Sequence, residues 1–411
     1  MTAYPRTLFK LRAVSGFDYT LSEGTTVETC KFSLTDGTIM NNSTYESSGR
    51  KISRRQFVGQ VAMGAAAVSV SGTMPRPAVR PEERLGIALV GLGYYSTDVL
   101  APALQQTEQV YLAGIVTGTP EKAEEWSKKY NIPASNIYNY ENFDSIADNP
   151  AIDIIYVVLP NSMHAEYTIR AAKAGKHVIC EKPMALSVRE CEQMIEACEQ
   201  AGVKLSIGYR LHFEPTTQEV MRIAREKPFG NIQFVTAGAG YRESRADHWK
   251  LSKEYGGGAM MDMGVYSLQG ARYSTGEEPI AVTAQTFVTR PDLFREVDET
   301  TTFQLEFPSG AVANCHTSFT ANMNYLLVNA ERGWVRLQPF SGYGGIKGET
   351  SQGPLNFPEI NQQAAQMDEV ALCIKENRPM RVPGEEGLKD IKVVEAIFRS
   401  IQAGGARISL T

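Results

Sequence analysis

Several things are missing from this chain, and each absence excludes something. The six cysteines (Cys30, Cys180, Cys191, Cys198, Cys315, Cys373) contain no CxxC pair. Cys191 and Cys198 lie two helical turns apart if their segment is helical, too far for a bridge, so the cysteines are expected to be reduced thiols and no metal ligands are assigned. Lysine and arginine total 41 against 46 aspartates and glutamates, a formal net charge of -5. The only locally basic stretch lies within 76–84, which leaves no face for nucleic acid. No uninterrupted apolar run approaches the roughly 20 residues that span a bilayer, so stable membrane insertion is not expected. No repeat of 20 to 50 residues stands out. What remains is ample apolar material, 43% of 411 residues, enough for two domains after a non-globular beginning.

That beginning has an order of its own. KISRRQF (51–57) precedes a mild apolar run (58–70) and then small residues, the layout of an export signal, and its paired arginines match a twin-arginine leader for already folded protein. Residues 40–72 are therefore read as a twin-arginine signal peptide, with periplasmic localisation and the twin-arginine export machinery as a partner. Residues 1–39 carry no pattern and are read as an over-extended start, Met40 being the conventional one. TMPRPAVRPEER (73–84) favours an extended, polyproline-like arm. Such an arm is either a solvated linker or a strap laid over a ligand.

RLGIALV (84–90) runs into GLGYYS (91–96) and then a helix-compatible stretch, which is the strand, glycine turn and helix of a dinucleotide site. Gly91 permits the turn, Gly93 admits a pyrophosphate to backbone N–H groups, and Ser96 replaces the third glycine. Tyr94 and Tyr95 sit in the same loop. Further strands at 110–116 and 153–160, separated by helical stretches, predict a Rossmann doubly wound parallel sheet over 85–208. Strand two ends in Thr117-Gly118-Thr119, then Lys122, where NAD enzymes place an acidic residue on the ribose. This favours NADP over NAD.

Two later segments carry chemistry. HVICEKPMA (177–185) puts Glu181 and Lys182 at the carboxyl edge of a strand, facing the cofactor crevice. GGGAMMDMGVY (256–266) spaces Asp262 and Tyr266 one helical turn apart, behind three glycines that allow close approach of a ligand. A tyrosine ordinarily holds its proton to about pH 10, so a catalytic Tyr266 needs a nearby cation, and Lys182 is available.

EKP after the fourth strand, IGYR (207–210) and GGGxxxDxGxY together resemble the glucose-fructose oxidoreductase, inositol dehydrogenase and MocA (Gfo/Idh/MocA) family. The likeness is fullest to its glucose-fructose oxidoreductase branch, in 159–185, in GEEPI (276–280) and in PGEEG (383–387), and it runs from about Pro75 to the C-terminus. The tyrosine at 266, where many relatives have histidine, is shared with that branch, whereas Tyr94 and Glu124 stand where it carries lysines. The resemblance implies Lys182, Asp262 and Tyr266 as catalytic residues. It implies cofactor contacts from Leu159, Pro160, Asn161, His164, Glu181 and Arg210, with Tyr209 and His212 lining a sugar site. His212 equally suits a buried structural role.

From about 209 the pattern changes to period-two alternation in 301–307, 311–319 and 325–338, which predicts a large, open, mostly antiparallel sheet in an α+β domain reaching 411. Helices at 362–376 and 385–401 would close it. In the family such a sheet pairs subunits, so a homodimer or homotetramer is expected. An exported enzyme has no pool of NADP to exchange with, so the expected activity is a closed cycle: a glucose-like aldose is oxidised and a fructose-like sugar is reduced by one retained NADP. The alternatives are a sugar dehydrogenase with exchangeable cofactor, a nicotinamide-dependent glycosidase and a non-catalytic nucleotide-binding regulator.

Overall fold

A computed structural model of the chain describes residues 83–410. The expected start (1–39), the leader (40–72), Cys30 and nearly all of the arm lie outside the described residues. Six strands form the first sheet: β1 (Leu85–Val90), β2 (Val110–Val116), β3 (Ile137–Tyr138), β4 (Ile154–Val157), β5 (His177–Cys180) and β6 (Leu205–Ile207). All neighbours are parallel, in the order β3-β2-β1-β4-β5-β6. This is the doubly wound order, and its crevice opens at the carboxyl ends of β1 and β4, where the direction of winding reverses.

A parallel sheet must be covered on both faces, and the period-two alternation sorts its side chains accordingly. Ala88, Val90, Ile155 and Val157 join one apolar layer, completed by the helices His164–Lys173 and Val188–Gln200. Ile87, Leu89, Ile154 and Tyr156 join the other. That second layer is closed partly by Ala364, Met367, Val370 and Ala371 of the helix Gln362–Lys375, although the sequence pattern had assigned this helix to closing the second domain. Helix starts are fixed locally. Ser187 accepts the N–H of Glu190 at 3.2 Å while the Glu190 carboxylate accepts that of Leu186 at 2.9 Å, and Glu214 accepts those of Thr216 and Thr217.

Nine strands form the second sheet: β7 (Ile232–Gly240), β8 (Ala281–Phe287), β9 (Thr300–Glu306), β10 (Val312–Ser318), β11 (Met323–Ala330), β12 (Gly333–Leu337), β13 (Gly348–Thr350), β14 (Gly353–Leu355) and β15 (Ile408–Ser409). Their order is β14-β13-β12-β11-β7-β10-β9-β8-β15, antiparallel except where β7 runs alongside β10. The N-terminal Rossmann sheet and the mostly antiparallel second sheet agree with the expected fold class.

One face of the second sheet packs on the helix Val265–Thr275, every residue of which is buried. The last helix, Gly384–Gln402, joins the two halves: Ile391 enters the core of the first domain, Val394 and Ile397 that of the second. The five described cysteines are free and buried. Among the described residues no helix is long and apolar enough to cross a membrane, and no cluster of His, Cys, Asp and Glu is arranged to hold a metal ion.

Candidate active site

A cavity of about 640 Å³ lies at the carboxyl ends of β1 and β4 and extends toward the second sheet. Its first wall is the glycine loop. Gly91 has φ +91°, and a Cβ there would stand 2.5 Å from the Val158 carbonyl oxygen, so only glycine fits. A Cβ at Gly93 would meet nothing, which leaves its backbone open to a ligand. Tyr94, Tyr95, Thr117, Lys122, Leu159, Pro160, Asn161 and Glu181 all line the cavity. Lys122 Nζ donates to the Leu92 carbonyl at 2.9 Å, placing its charge beside the Thr117 turn. An open glycine cradle, with a lysine and no acidic residue lining the cavity at the Thr117 turn, suits a dinucleotide.

Other expected cofactor contacts fall elsewhere. Ser96 is buried, and its Oγ donates to the Gly91 carbonyl at 2.6 Å, bracing the loop from behind. His164 is also buried, with Nδ1 2.8 Å from the Pro183 carbonyl and Nε2 3.0 Å from that of Leu159. It ties the loop after β4 to the Lys182 turn and does not line the cavity. Burial lowers its pKa, outweighing the two carbonyls.

The second wall brings Lys182, Asp262 and Tyr266 together. Lys182 follows β5. Its Nζ donates to the Asp262 carbonyl at 2.6 Å, lies 3.4 Å from Asp262 Oδ1, and sits 4.7 Å from the centre of the Tyr266 ring. Asp262 belongs to a π-turn, Met260–Gly264, that leads into the buried helix. Asp298 anchors the turn by accepting the Met260 N–H at 2.9 Å. The preceding glycines serve the protein itself, because a Cβ at Gly256 would strike Leu186, at Gly257 the Lys250 carbonyl, and at Gly258 Asp298. The expected close approach is therefore to the chain's own backbone and side chains.

Sequence reading missed three residues here. Lys250 Nζ lies 2.7 Å from Asp262 Oδ2, and the Tyr241 hydroxyl donates to the same oxygen at 3.1 Å. Tyr343 packs over Tyr95, with ring centres 5.6 Å apart, and over the Arg210 guanidinium at 4.7 Å. The sequence signal lay in RESRADHW (242–249), immediately before Lys250, which differs from the glucose-fructose oxidoreductase branch.

Arg210 corrects another expectation. It is buried behind the cavity wall, where Nη1 donates to Gly342 and Gln362 and Nη2 to the Ser341 carbonyl at 2.6 Å and the Tyr266 hydroxyl at 3.2 Å. It supports Tyr266 and the Tyr343 loop and does not line the cofactor cavity. Tyr209 and His212 lie outside the cavity too. Tyr209 is buried beside Asp390 and Tyr273, and His212 packs edge-on against Tyr273 at 4.6 Å. Burial pushes the His212 imidazole down to about 4, in keeping with a structural histidine.

The site is electrostatically fixed. Burial favours a neutral Asp262, but the charges of Lys250 and Lys182 and the hydrogen bonds from Lys250 and Tyr241 outweigh it and hold the carboxyl far below its usual range. Burial would lower Lys182; Tyr266, Asp262 and Glu181 reverse this and raise it. Glu181, which accepts from the Tyr156 hydroxyl at 2.7 Å, is raised by burial. At neutral pH Lys182 is an ammonium and Asp262 a carboxylate.

A dinucleotide-binding sheet whose crevice ends in a lysine, carboxylate and tyrosine defines a two-domain nicotinamide-dependent oxidoreductase. Sequence and structure comparisons agree. Residues 85–209 match the Oxidoreductase family, NAD-binding Rossmann fold; 217–336 match the GFO/IDH/MocA C-terminal domain; and 349–410 match the Oxidoreductase family, C-terminal alpha/beta domain. Aldose-aldose oxidoreductase from Caulobacter crescentus, in its crystal structure with glycerol, is 43% identical, with a TM-score of 0.77 over 79% of this chain and 99% of that one. D-xylose 1-dehydrogenase [NADP(+)] from Haloarcula marismortui is 28% identical over 76% of this chain and 90% of its own length. The chain belongs to the Gfo/Idh/MocA oxidoreductase family.

Proposed function

We propose that this protein is an exported sugar oxidoreductase that keeps one NADP bound, oxidises an aldose at C1 and reduces a second sugar in a ping-pong cycle. The observation that carries the reading is the convergence of Lys182, Asp262 and Tyr266 on the cavity that holds the glycine loop. The 43% identity to an aldose-aldose oxidoreductase supports sugars in both roles, and the D-xylose 1-dehydrogenase supports NADP.

When bound, NADP supplies the hydride acceptor and, once reduced, the hydride donor. In its phenolate form, Tyr266 takes the proton of the C1 hydroxyl as hydride leaves C1, giving the lactone and the neutral phenol. It returns that proton to the carbonyl oxygen of the second sugar, giving the alditol. Arg210 Nη2, 3.2 Å from the phenol oxygen, and the Lys182 ammonium meet the charge that develops there. Asp262 stays ionised and accepts a sugar hydroxyl. Lys122 pairs with the 2'-phosphate. Export through the paired arginines Arg54 and Arg55 makes retention necessary, and Tyr343 over Tyr95 contributes to it. The arm at 73–84 is proposed to add a strap across the dinucleotide, and the open second sheet to pair subunits into a dimer or tetramer.

The test uses protein purified from Thr73 onward and desalted exhaustively. Adding glucose or xylose without cofactor should raise the absorbance of reduced nicotinamide, and a second aldose or fructose should abolish it. A signal only after NADP is supplied would make this a dehydrogenase with exchangeable cofactor, and hydrolysis of an aryl glycoside would make it a glycosidase.

A further inference from the structure

Lys250 has no role in the proton transfer described above, yet it lines the cavity and its ammonium is held 2.7 Å from Asp262 Oδ2. It sits in a short turn, Trp249–Leu251, within the segment that follows β7. Its carbonyl accepts the Gly258 N–H at 2.8 Å, and the Gly257 N–H donates to the Ser252 carbonyl at 2.9 Å. The turn is thus tied by its backbone to the glycine run that leads into Asp262. The His248 ring accepts the Lys250 N–H at 3.3 Å, closing the turn from the other side.

The ammonium has three N–H donors. One is spent on Asp262 Oδ2 at 2.7 Å and one on the Tyr241 hydroxyl at 3.2 Å; the third has no protein acceptor among the described residues. Lys250 lines the cavity. Asp262 is equally asymmetric. Its Oδ2 is filled by Lys250 and Tyr241, while Oδ1 has only the long 3.4 Å contact with Lys182. One unspent donor and one lightly used acceptor therefore stand side by side, a pattern that suits two adjacent sugar hydroxyls.

We propose that Lys250 is a sugar-binding and positioning residue: it pins Oδ2 of Asp262, and its third N–H, with Asp262 Oδ1, holds a vicinal diol of the sugar. The assignment rests on the sugar oxidoreductase reading. It also places sugar specificity beside 242–249, a segment that differs from the related branch.

The experiment compares wild type with Lys250→Met on an aldose and its monodeoxy analogues, measuring kcat and KM separately. A hydrogen bond to a charged donor supports a discrimination of about 10- to 100-fold. The expected result is a KM at least about 10-fold higher for the parent aldose, and a penalty for one deoxy analogue that is present in wild type and absent in Lys250→Met. The acid limb of kcat/KM should also move to higher pH. Asp262 then faces Lys182 after β5, Tyr241 just past β7, Arg245 and His248 in the following segment, Tyr343 from the far loop and Tyr266 one helical turn on, and it has lost its nearest ammonium.

Retained cofactor absorbance shows that the variant is folded; if it is not, Lys250→Arg gives the same deoxy-sugar comparison with the charge kept. Unchanged deoxy penalties with an unmoved acid limb would overturn the role of Lys250 while leaving the sugar oxidoreductase reading intact. A wild type that oxidises no aldose would overturn both.

Discussion

Replacing Tyr266 with phenylalanine separates chemistry from packing at one atom. The ring is buried, and it keeps its place 4.7 Å from Lys182 Nζ and 5.1 Å from the Arg210 guanidinium carbon. Only the hydroxyl is lost, and with it the 3.2 Å bond from Arg210 Nη2, whose partner at Ser341 remains at 2.6 Å. The stability cost should be about 1 kcal/mol, a typical net value for one hydrogen bond. Removing a positioned acid/base costs about 10²- to 10⁴-fold in rate, equivalent to roughly 3–5 kcal/mol of barrier at 1.36 kcal/mol per decade. The assay mixes loaded protein with aldose in a stopped-flow instrument and follows reduced nicotinamide in a single turnover. A Tyr266→Phe rate within about fivefold of wild type, with sugar binding intact, would refute the assignment of the proton to this oxygen.

Three further outcomes follow from the same geometry. Lys122→Met should weaken NADP binding by about 10-fold while leaving NAD nearly unchanged, and equal losses for both cofactors by calorimetry would remove Lys122 from the 2'-phosphate. Tyr343→Ala opens the contact with Tyr95 and Arg210, so bound cofactor should wash out faster on dialysis; an unchanged release rate would leave retention to other segments. Asp262 has a depressed native pKa, so the stability its ionised form contributes is complete above its unfolded value of about 3.9 and is lost as pH falls toward the native one. The difference in Tm between wild type and Asp262→Asn should be flat from pH 7 to 5 and shrink below about pH 4. A difference already changing near pH 6 would mean that another group controls it.

The parts of this molecule legible in the sequence are those whose signal is local. β2 and β5 are apolar runs bounded by turns, and they fall at Val110–Val116 and His177–Cys180 as read. Lys182, Asp262 and Tyr266 sit in short motifs at fixed spacing, and the fold brings them together. Contacts between distant segments left no such trace. Lys250 reaches Asp262 because the backbone of 250–258 folds back on itself, and Tyr241 because its N–H is held by the Ser318 carbonyl at the end of β10. Tyr343 reaches Tyr95 from the far domain. Arg210, Tyr209 and His212 lie close together in sequence, but at the 3₁₀ turn Arg210–Phe213 they divide between two directions. Arg210 faces Tyr266, while Tyr209 and His212 turn toward Tyr273. The helix Gln362–Lys375 shows an apolar face, but nothing in that pattern says which sheet it covers. Its partners Ile87, Leu89, Ile154 and Tyr156 lie more than 200 residues earlier.

The central claim is that one cofactor carries hydride between two sugars without leaving the protein. It is tested most directly by giving the desalted enzyme an aldose deuterated at C1, an unlabelled acceptor sugar and a large excess of free, unlabelled NADPH. The account predicts that the alditol formed carries one deuterium for each lactone released, undiluted by the free pool. Alditol deuterium diluted in proportion to added NADPH would contradict it, because the hydride would then have passed through exchangeable cofactor.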